Sequence, residues 1–258
     1  MKLQVMGVLN ITPDSFSDGG KFLNHEAALE QAKQLVADGA TVLDVGGEST
    51  RPGATRVPIE EEIARVVPVI EAIKPLGVDI SIDTMNAETA LAAIAAGATI
   101  INDVSGGKND PEIFNVAAKS GKRIIISHWR GHSDQMDSLN HYQSIGSDVA
   151  NELLEQIRKA EAVGVPRSNI IIDPGLGFAK DADQNWQLLD ELHELEKLGF
   201  PILIGASRKR FIAARLSEPD TVDARDRATA TLMHELTQKY DLWGIRVHNV
   251  KALQLRQN

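Results

Sequence analysis

The length, composition and charge of the chain exclude several classes of protein. It has 258 residues, of which 43% are hydrophobic and 24% charged, with a formal net charge of −9 and no cysteine. Binding to nucleic acid requires a basic surface, which an acidic chain does not offer. Without cysteine there is no disulfide, thiolate nucleophile or zinc–sulfur site. No segment reads as a signal peptide or as a membrane span of about 20 apolar residues. We therefore expect a cytoplasmic protein without a nucleic-acid or membrane partner.

Eight short apolar, β-branched runs recur along the chain, and each ends in polar residues. Continuous apolar runs of this length are typical of strands buried on both faces, as in a parallel sheet. In chain order they cover residues 5–9, 41–43, 80–82, 98–101, 123–126, 170–172, 201–204 and 245–247. The sequence therefore predicts a sheet of eight parallel strands.

Between these runs the apolar period lengthens to about 3.6 residues, which indicates amphipathic helices. The predicted helices cover residues 26–36, 59–73, 87–96, 111–121, 145–163, 185–198, 223–239 and 251–256. Eight strand–helix units of similar size predict a single (β/α)8 TIM barrel, a fold of about 250 residues, so residues 1–258 are expected to form one domain. A doubly wound open sheet is the alternative, but no Gly-x-Gly-x-x-Gly follows the first strand.

Residues that follow the strands should meet at one face, because a (β/α)8 barrel carries its active site at the carboxyl ends of its strands. Two connections on that face, residues 12–20 and 46–53, are rich in glycine and proline. Both exceed the two to six residues usual for such loops, and we interpret them as mobile lids. The strand-end residues are Asn10, Asp44, Asp83, Asn102, Asp103, Ser127, His128, Asp173, Ser207, Arg208, Lys209 and His248.

Seven motifs, in register along nearly the whole chain, resemble those of the dihydropteroate synthase family. They occupy residues 6–19, 44–53, 81–84, 101–106, 173–175, 207–209 and 246–248. The resemblance implies a transferase of folate biosynthesis. Such an enzyme condenses 6-hydroxymethyl-7,8-dihydropterin diphosphate with p-aminobenzoate and releases 7,8-dihydropteroate and diphosphate, assisted by Mg²⁺. A homodimer is expected by analogy with the family.

The strand-end acids suit a dihydropterin, because its edge of adjacent N–H donors matches a carboxylate in bidentate fashion. We predict Asp173 for that contact, Asp83 as a second acceptor, and Asn102 for the mixed remainder of the edge. Lys209 is expected to donate to the pterin carbonyl or ring nitrogen, and the planar guanidinium of Arg246 to cover the ring. A single strand-end acid could equally be a helix cap, but three neighbouring acceptors favour binding.

Cations after strands seven and eight suit diphosphate, since barrels commonly bind phosphate there. We predict Arg246 and His248 for this contact, together with Thr50 and Arg51 of the second loop. Asn10 is expected to contact diphosphate and to serve as an oxygen ligand of a Mg²⁺ that keeps most of its waters. The substrate phosphates would hold most of this metal.

p-Aminobenzoate is a flat ring with one carboxylate, so it requires a narrow apolar pocket with one group that binds the carboxylate. Ser207 is expected to bind its carboxylate, with Lys209 and Arg51 nearby. Phe16 and Pro52 are assigned as apolar walls on the resemblance.

The predicted site lacks an obvious general base, and the arylamine needs none because it is neutral at pH 7. We therefore expect an SN1-like substitution in which Asn10, Lys209, Arg246 and His248 are the catalytic residues. Arg246, His248 and Mg²⁺ would stabilise the departing diphosphate, while the lids shield the pterin cation from water.

Four residues depart from the family pattern. Ala179 replaces a usual glycine, and its methyl group could crowd the pterin pocket or favour a helix. Trp129 and Arg130 differ from the residues expected beside the pterin. Asn249 replaces an aspartate that could orient the His248 imidazole.

Two other functions compete with this interpretation. A folate–corrinoid methyltransferase would share the barrel and the pterin clamp, but it would not need a diphosphate set. A barrel that binds a pterin or a partner without catalysis would be expected to have lost part of that set. The sequence retains all of it, namely Thr50, Arg51, Ser207, Arg246 and His248.

Overall fold

The computed structural model describes residues 2–11, 21–48, 56–132, 136–216 and 218–254. Its centre is a parallel sheet with the hydrogen-bonded strand order β6-β5-β4-β3-β2-β1-β8-β7. The strands are β1 (Gln4–Asn10), β2 (Val42–Gly46), β3 (Asp79–Asp83), β4 (Ile100–Asp103), β5 (Arg123–Ser127), β6 (Ile170–Asp173), β7 (Leu203–Ile204) and β8 (Gly244–Val247). A parallel bridge between Ile172 and Ile202 joins the two ends of this order. The predicted barrel is confirmed, and the open sheet is wrong.

Side chains alternate along each strand between the barrel interior and the helices outside. The interior carries a separate apolar cluster of Met6, Val42, Ile100, Ile125, Ile171, Leu203 and Trp243. Two residues beyond Val42, Ile100 and Ile171 along their strands come Asp44, Asn102 and Asp173. Because the period is two, these polar side chains also point inward, above the apolar cluster. Apolar side chains thus fill the lower part of the barrel interior, and polar side chains line its mouth at the carboxyl ends of the strands.

Helices follow the strands and pack outside the sheet. They are α1 (Lys21–Ala37), α2 (Ile59–Ile73), α3 (Ala87–Ala96), α4 (Glu112–Ser120), α5 (Ile145–Ala162), α6 (Ala182–Asp190), α7 (His193–Glu196), α8 (Arg210–Ala213), α9 (Val222–Lys239) and α10 (Lys251–Gln254). Short 3₁₀ turns span Lys74–Leu76, Met136–Leu139 and Arg167–Asn169. Across the described ranges, no helix has the length and apolar character to cross a membrane.

The single helix predicted over residues 185–198 is wrong, because the structure divides it into α6 and α7. The hydroxyl group of Tyr240 donates to the carbonyls of Leu189 and Asp190 at 3.1 and 3.0 Å. A continuous helix would use the Asp190 carbonyl for the N–H of Glu194. That N–H instead donates to the backbone carbonyl of Glu191 at 2.9 Å. A side chain about fifty residues away therefore ends α6.

Ala179 adopts a left-handed backbone conformation, with φ of 47°. It precedes α6, which begins at Ala182, so the expectation that the methyl group favours a helix is wrong. A residue with a Cβ atom is strained in this region, whereas glycine is not.

We predict that Ala179→Gly raises the free energy of unfolding by about 0.5–1 kcal/mol, because relief of the left-handed strain outweighs the added chain entropy. Chemical denaturation measures the difference. The control is Ala95→Gly at an exposed position inside α3, which should lower stability by about 1 kcal/mol. Equal losses in both variants would contradict the prediction.

Candidate active site

A partly buried arginine lies between two buried carboxylates at the mouth of the barrel. Arg246 of β8 donates from Nε to Asp44 Oδ2 at 2.6 Å and from Nη2 to Asp83 Oδ2 at 2.7 Å. Asn102 of β4 donates from Nδ2 to the same Asp44 oxygen at 3.1 Å. Charge-assisted bonds of this kind fix the plane of a guanidinium. Side chains of β2, β3, β4 and β8 are thereby held in one network.

The second oxygen of each of these acids is an unused acceptor. Asp44 Oδ1 and Asp83 Oδ1 are buried and have no hydrogen-bond partner within the described part of the chain. Burying an unpaired acceptor costs about 1–3 kcal/mol, so such atoms indicate a place for a ligand or water. Burial raises the pKa of Asp83, and the positive charge of Arg246 opposes this shift. The mouth therefore presents acceptors to a ligand rich in N–H donors.

Asp173 lies at the end of β6, beside the arginine. A Cβ atom added to Gly205 would lie 3.5 Å from Asp173 Oδ2 and 3.9 Å from Cβ and Cδ of Arg246. Oδ1 of Asp173 accepts from the N–H of Gly175 at 2.6 Å. Burial raises the pKa of Asp173, opposed by the ammonium of Lys209. The acid and the arginine therefore share one end of the barrel, which the predicted mechanism requires.

Lys209 is half-buried and interacts electrostatically with the same acid. Its ammonium donates to the carbonyl of Leu176 and lies 4.9 Å from the centroid of the Phe178 ring. Burial lowers the pKa of Lys209 to about 8, although the charge of Asp173 opposes the shift. The side chain is thus placed as a donor near Asp173, and its charge is lost as the pH rises through about 8.

Ser207 and His248 connect the ends of the last two strands. The Ser207 hydroxyl accepts from the backbone N–H of His248 at 3.1 Å and lies 3.0 Å from His248 Nδ1. A hydroxyl has one proton, so it can donate to Nδ1 while it accepts from the N–H. Through its second lone pair the hydroxyl can equally accept from a protonated Nδ1, so this contact orients the ring without fixing its tautomer. The predicted anion contacts are therefore held as a pair.

Asn249 has a structural explanation. Its Nδ2 donates to Asp226 Oδ2 at 3.0 Å, and its Oδ1 accepts from the N–H of Ala252 in α10 at 3.1 Å. Asp226 also accepts from Arg208 at 2.6 and 2.8 Å. An aspartate at position 249 could not donate to Asp226, whereas the amide can. The imidazole of His248 is oriented by Ser207 instead.

Asn10 ends β1 at the same mouth. A Cβ atom on Gly46 would lie 3.5 Å from Asn10 Oδ1 and 3.8 Å from Asp83 Oδ2, so the amide oxygen is close to the acid network. In the residues that the structure describes, no cluster of three or more His, Cys, Asp or Glu has an arrangement suited to a metal. The predicted contacts Phe16, Thr50, Arg51 and Pro52 lie outside the described residues.

Trp129 and Arg130 make contacts within the segment that follows β5. Arg130 donates from Nε to Glu152 Oε1 at 3.1 Å and from Nη1 to the His141 carbonyl at 2.7 Å. Trp129 packs edge-to-face on His132, with ring centroids 4.9 Å apart. Arg130 thus ties this segment to α5. Neither departure removes a member of the acid and cation network.

Asp44 is the residue whose role the sequence did not reveal. It stands at a strand end within a family motif, but only the structure places it between Arg246 and Asn102. One signal was available in the sequence. Side chains alternate along a strand, so Asp44, two residues after Val42 in β2, points into the barrel as Val42 does.

The geometry defines a class of protein, a (β/α)8 barrel enzyme whose mouth combines acceptors for a donor-edged heterocycle with cations for an anion. A family model described as "Pterin binding enzyme" matches residues 6–248. The dihydropteroate synthase of Mycobacterium leprae (strain TN) is 44% identical over 255 residues, covering 97% of this chain and 89% of the relative.

Solved structures give the same result. Xanthomonas albilineans dihydropteroate synthase with 4-aminobenzoic acid superposes with a TM-score of 0.88 at 40% identity, covering 97% of this chain and 89% of that chain. The same enzyme in complex with 7,8-dihydropteroate gives a TM-score of 0.85 at 37% identity with the same coverages. The chain belongs to the dihydropteroate synthase family of pterin-binding enzymes. The predicted family, barrel fold and transferase activity are confirmed.

We predict that Asp44→Asn lowers kcat/KM for the pterin substrate about tenfold or more. The change weakens a charge-assisted bond, worth about 1.5–3 kcal/mol, that fixes Arg246. Steady-state kinetics with each substrate varied in turn measure the effect. Asp79→Asn is the matched control, since Asp79 begins β3 at the opposite end of the barrel and pairs with Arg123 at 2.6 Å. An equal loss in both variants would mean that Asp44 acts only on folding.

The titration of Lys209 predicts weaker pterin binding at high pH. The pKa of Lys209 is lowered by burial to about 8, so the ammonium is present below this pH and is lost above it. Calorimetric titration should show the Kd of the pterin diphosphate rising as pH increases through about 8. Lys209→Arg stays charged over this range and should flatten the rise. Identical pH profiles for both proteins would contradict this assignment.

Proposed function

We propose that the protein makes 7,8-dihydropteroate at the mouth of the barrel, with the pterin bound between Asp173, Asp83 and Arg246. The observation that supports this placement most directly is that Asp173 and Arg246 both lie beside Gly205, and that Arg246 also binds Asp83. Substrates of the reaction are 6-hydroxymethyl-7,8-dihydropterin diphosphate and p-aminobenzoate. This is the activity named for the relatives, and a relative's structure contains the product.

The pterin edge would be bound by acceptors that the protein leaves available. Asp173 uses Oδ1 for a backbone N–H, which leaves Oδ2, on the side of Gly205, for the ligand. Asp83 Oδ1 is a second buried acceptor. Asn102 donates to Asp44 and keeps its carbonyl oxygen for a pterin N–H. Lys209, near Asp173, supplies a donor to the pterin carbonyl or ring nitrogen.

Diphosphate would bind at the rim formed by β7 and β8. His248, oriented by the Ser207 hydroxyl, would donate from Nε2 to the diphosphate, and Arg246 supplies positive charge at the junction with the pterin. Ser207 and Lys209 would contact the carboxylate of p-aminobenzoate in the adjoining slot. Phe16, Thr50, Arg51 and Pro52 retain their predicted contacts from the two loops.

We propose Asn10 as the protein ligand of Mg²⁺. Its amide oxygen is a hard donor near the acids of the mouth, which fits a Mg²⁺ ion held mainly by water and substrate phosphates. When bound, the ion would add positive charge against the departing diphosphate.

Departure of diphosphate would precede attack by the arylamine. The protein residues bind and orient the reactants, and none has to deprotonate the arylamine before it attacks. One N–H proton is released when the carbon–nitrogen bond forms, and water or the departing diphosphate accepts it. Arg246 and His248 stabilise the negative charge that leaves, while the acids around the pterin stabilise the positive charge that develops on its methylene. A cytoplasmic location and a homodimer complete the proposal, the latter testable by light scattering coupled to size-exclusion chromatography.

The reaction is tested by incubating the purified protein with the pterin diphosphate, p-aminobenzoate and Mg²⁺. We expect one diphosphate for each dihydropteroate formed. With substrate deuterated at the methylene, a normal secondary isotope effect clearly above unity is expected, because that carbon becomes trigonal as diphosphate departs. A ratio near unity would favour associative attack. Pterin binding without product would instead indicate a non-catalytic barrel.

A further inference from the structure

A buried lysine near the pterin residues binds backbone carbonyls. Lys180 follows β6, and its Nζ lies 3.0 Å from the Gly175 carbonyl and 3.1 Å from the Phe178 carbonyl. The third neighbour is Nδ1 of His128, at 2.9 Å. Three acceptors match the three N–H donors of an ammonium group. The side chain is therefore satisfied in its charged form, although burial lowers the pKa of Lys180.

His128 is fixed in one protonation state by its two neighbours. Its Nε2 lies 3.0 Å from Glu152 Oε2, and a carboxylate can only accept. The ring proton is therefore on Nε2, which leaves the lone pair of Nδ1 for Lys180. Burial and the charge of Lys180 lower the pKa of His128 to about 3, so the imidazole is neutral. Arg130 holds Glu152 from the other side.

The turn that Lys180 binds also contacts two of the pterin residues. At its start, the N–H of Gly175 donates to Asp173 Oδ1 at 2.6 Å. In its middle, the carbonyl of Leu176 accepts from the ammonium of Lys209. The turn closes with the Phe178 N–H donating to the Gly175 carbonyl at 3.1 Å. Displacement of this turn would thus move both the acid and the cation of the pterin site.

We infer that Lys180 is a positioning residue for the pterin subsite, where its ammonium holds the turn 175–178 that orients Asp173 and Lys209. Lys180 itself does not touch the substrate. His128 serves as the third acceptor that keeps the ammonium in place, and Glu152 sets the tautomer of His128. This inference rests on the proposed placement of the pterin.

The first test compares ligand affinities by calorimetry, without p-aminobenzoate. In Lys180→Met the affinity for the pterin diphosphate should fall about tenfold or more, as expected for loss of a charge-assisted contact. The affinity for inorganic diphosphate should change less than about twofold on the same scale, since Ser207, Arg246 and His248 are untouched. Lys180→Arg restores a cationic donor and should recover most of the loss. Tyr142→Phe is the matched control, because it removes a 3.0 Å bond to the Ala179 carbonyl just outside the turn.

A second pair of variants serves if Lys180→Met does not fold. His128→Asn places an amide oxygen near the position of Nδ1 and keeps an acceptor for Lys180, whereas His128→Gln reaches toward Glu152 and loses that acceptor. The glutamine variant should bind the pterin diphosphate more weakly than the asparagine variant. Equal or reversed affinities would overturn the inference.

Other outcomes separate this inference from the function. Wild-type affinity in Lys180→Met, or equal losses for both ligands, would overturn the role of Lys180 while leaving the function intact. Failure of the wild-type protein to bind the pterin diphosphate would overturn the proposed function and this inference with it.

Discussion

The mouth of the barrel depends on two charge-assisted hydrogen bonds, which Arg246 donates to Asp44 and Asp83. Four of the eight strands contribute to this network through Asp44, Asp83, Asn102 and Arg246. Removing one partner of a buried ion pair commonly costs about 3–5 kcal/mol, because the other charge is left uncompensated. The network is therefore under strong constraint. It places a guanidinium plane at the centre of the site before any ligand arrives, so little ordering is required at the moment of binding.

Charge is divided between two regions of the mouth. The charges of Asp44, Asp83 and Asp173 are largely balanced there by those of Lys209, Arg246 and Lys180. Such a centre favours a neutral ring with N–H donors over an anion. An anion finds its donors at the edge, where Ser207 orients His248. The two halves of one substrate thus meet environments of different polarity, which gives the bound molecule a single orientation.

The sequence predicted the barrel because strands buried on both faces are apolar throughout, as residues 170–172 are. It also predicted which acids converge, since the period of two carries inward-facing positions from the apolar cluster to the strand ends. It failed where a distant partner decides the local structure. The hydroxyl of Tyr240, the residue that follows α9, binds the end of α6 and stops that helix. Asp44 acquires its role from Arg246, which lies near the other end of the chain. Ala179 misled because an alanine is ordinarily a helix former, yet its backbone is left-handed here.

The close approach of Gly175 to His128, the residue that follows β5, restricts how this fold can diverge. A Cβ atom on Gly175 would lie only 1.9 Å from the carbonyl oxygen of His128. No side chain can be introduced at that position without moving the backbone of His128 away from the turn that follows β6, so backbone sterics alone keep this residue a glycine. Adaptation to a different heterocycle would have to proceed through side chains of β3 and β4 such as Asp83 and Asn102, and each exchange there would also disturb the bonds to Arg246 or Asp44.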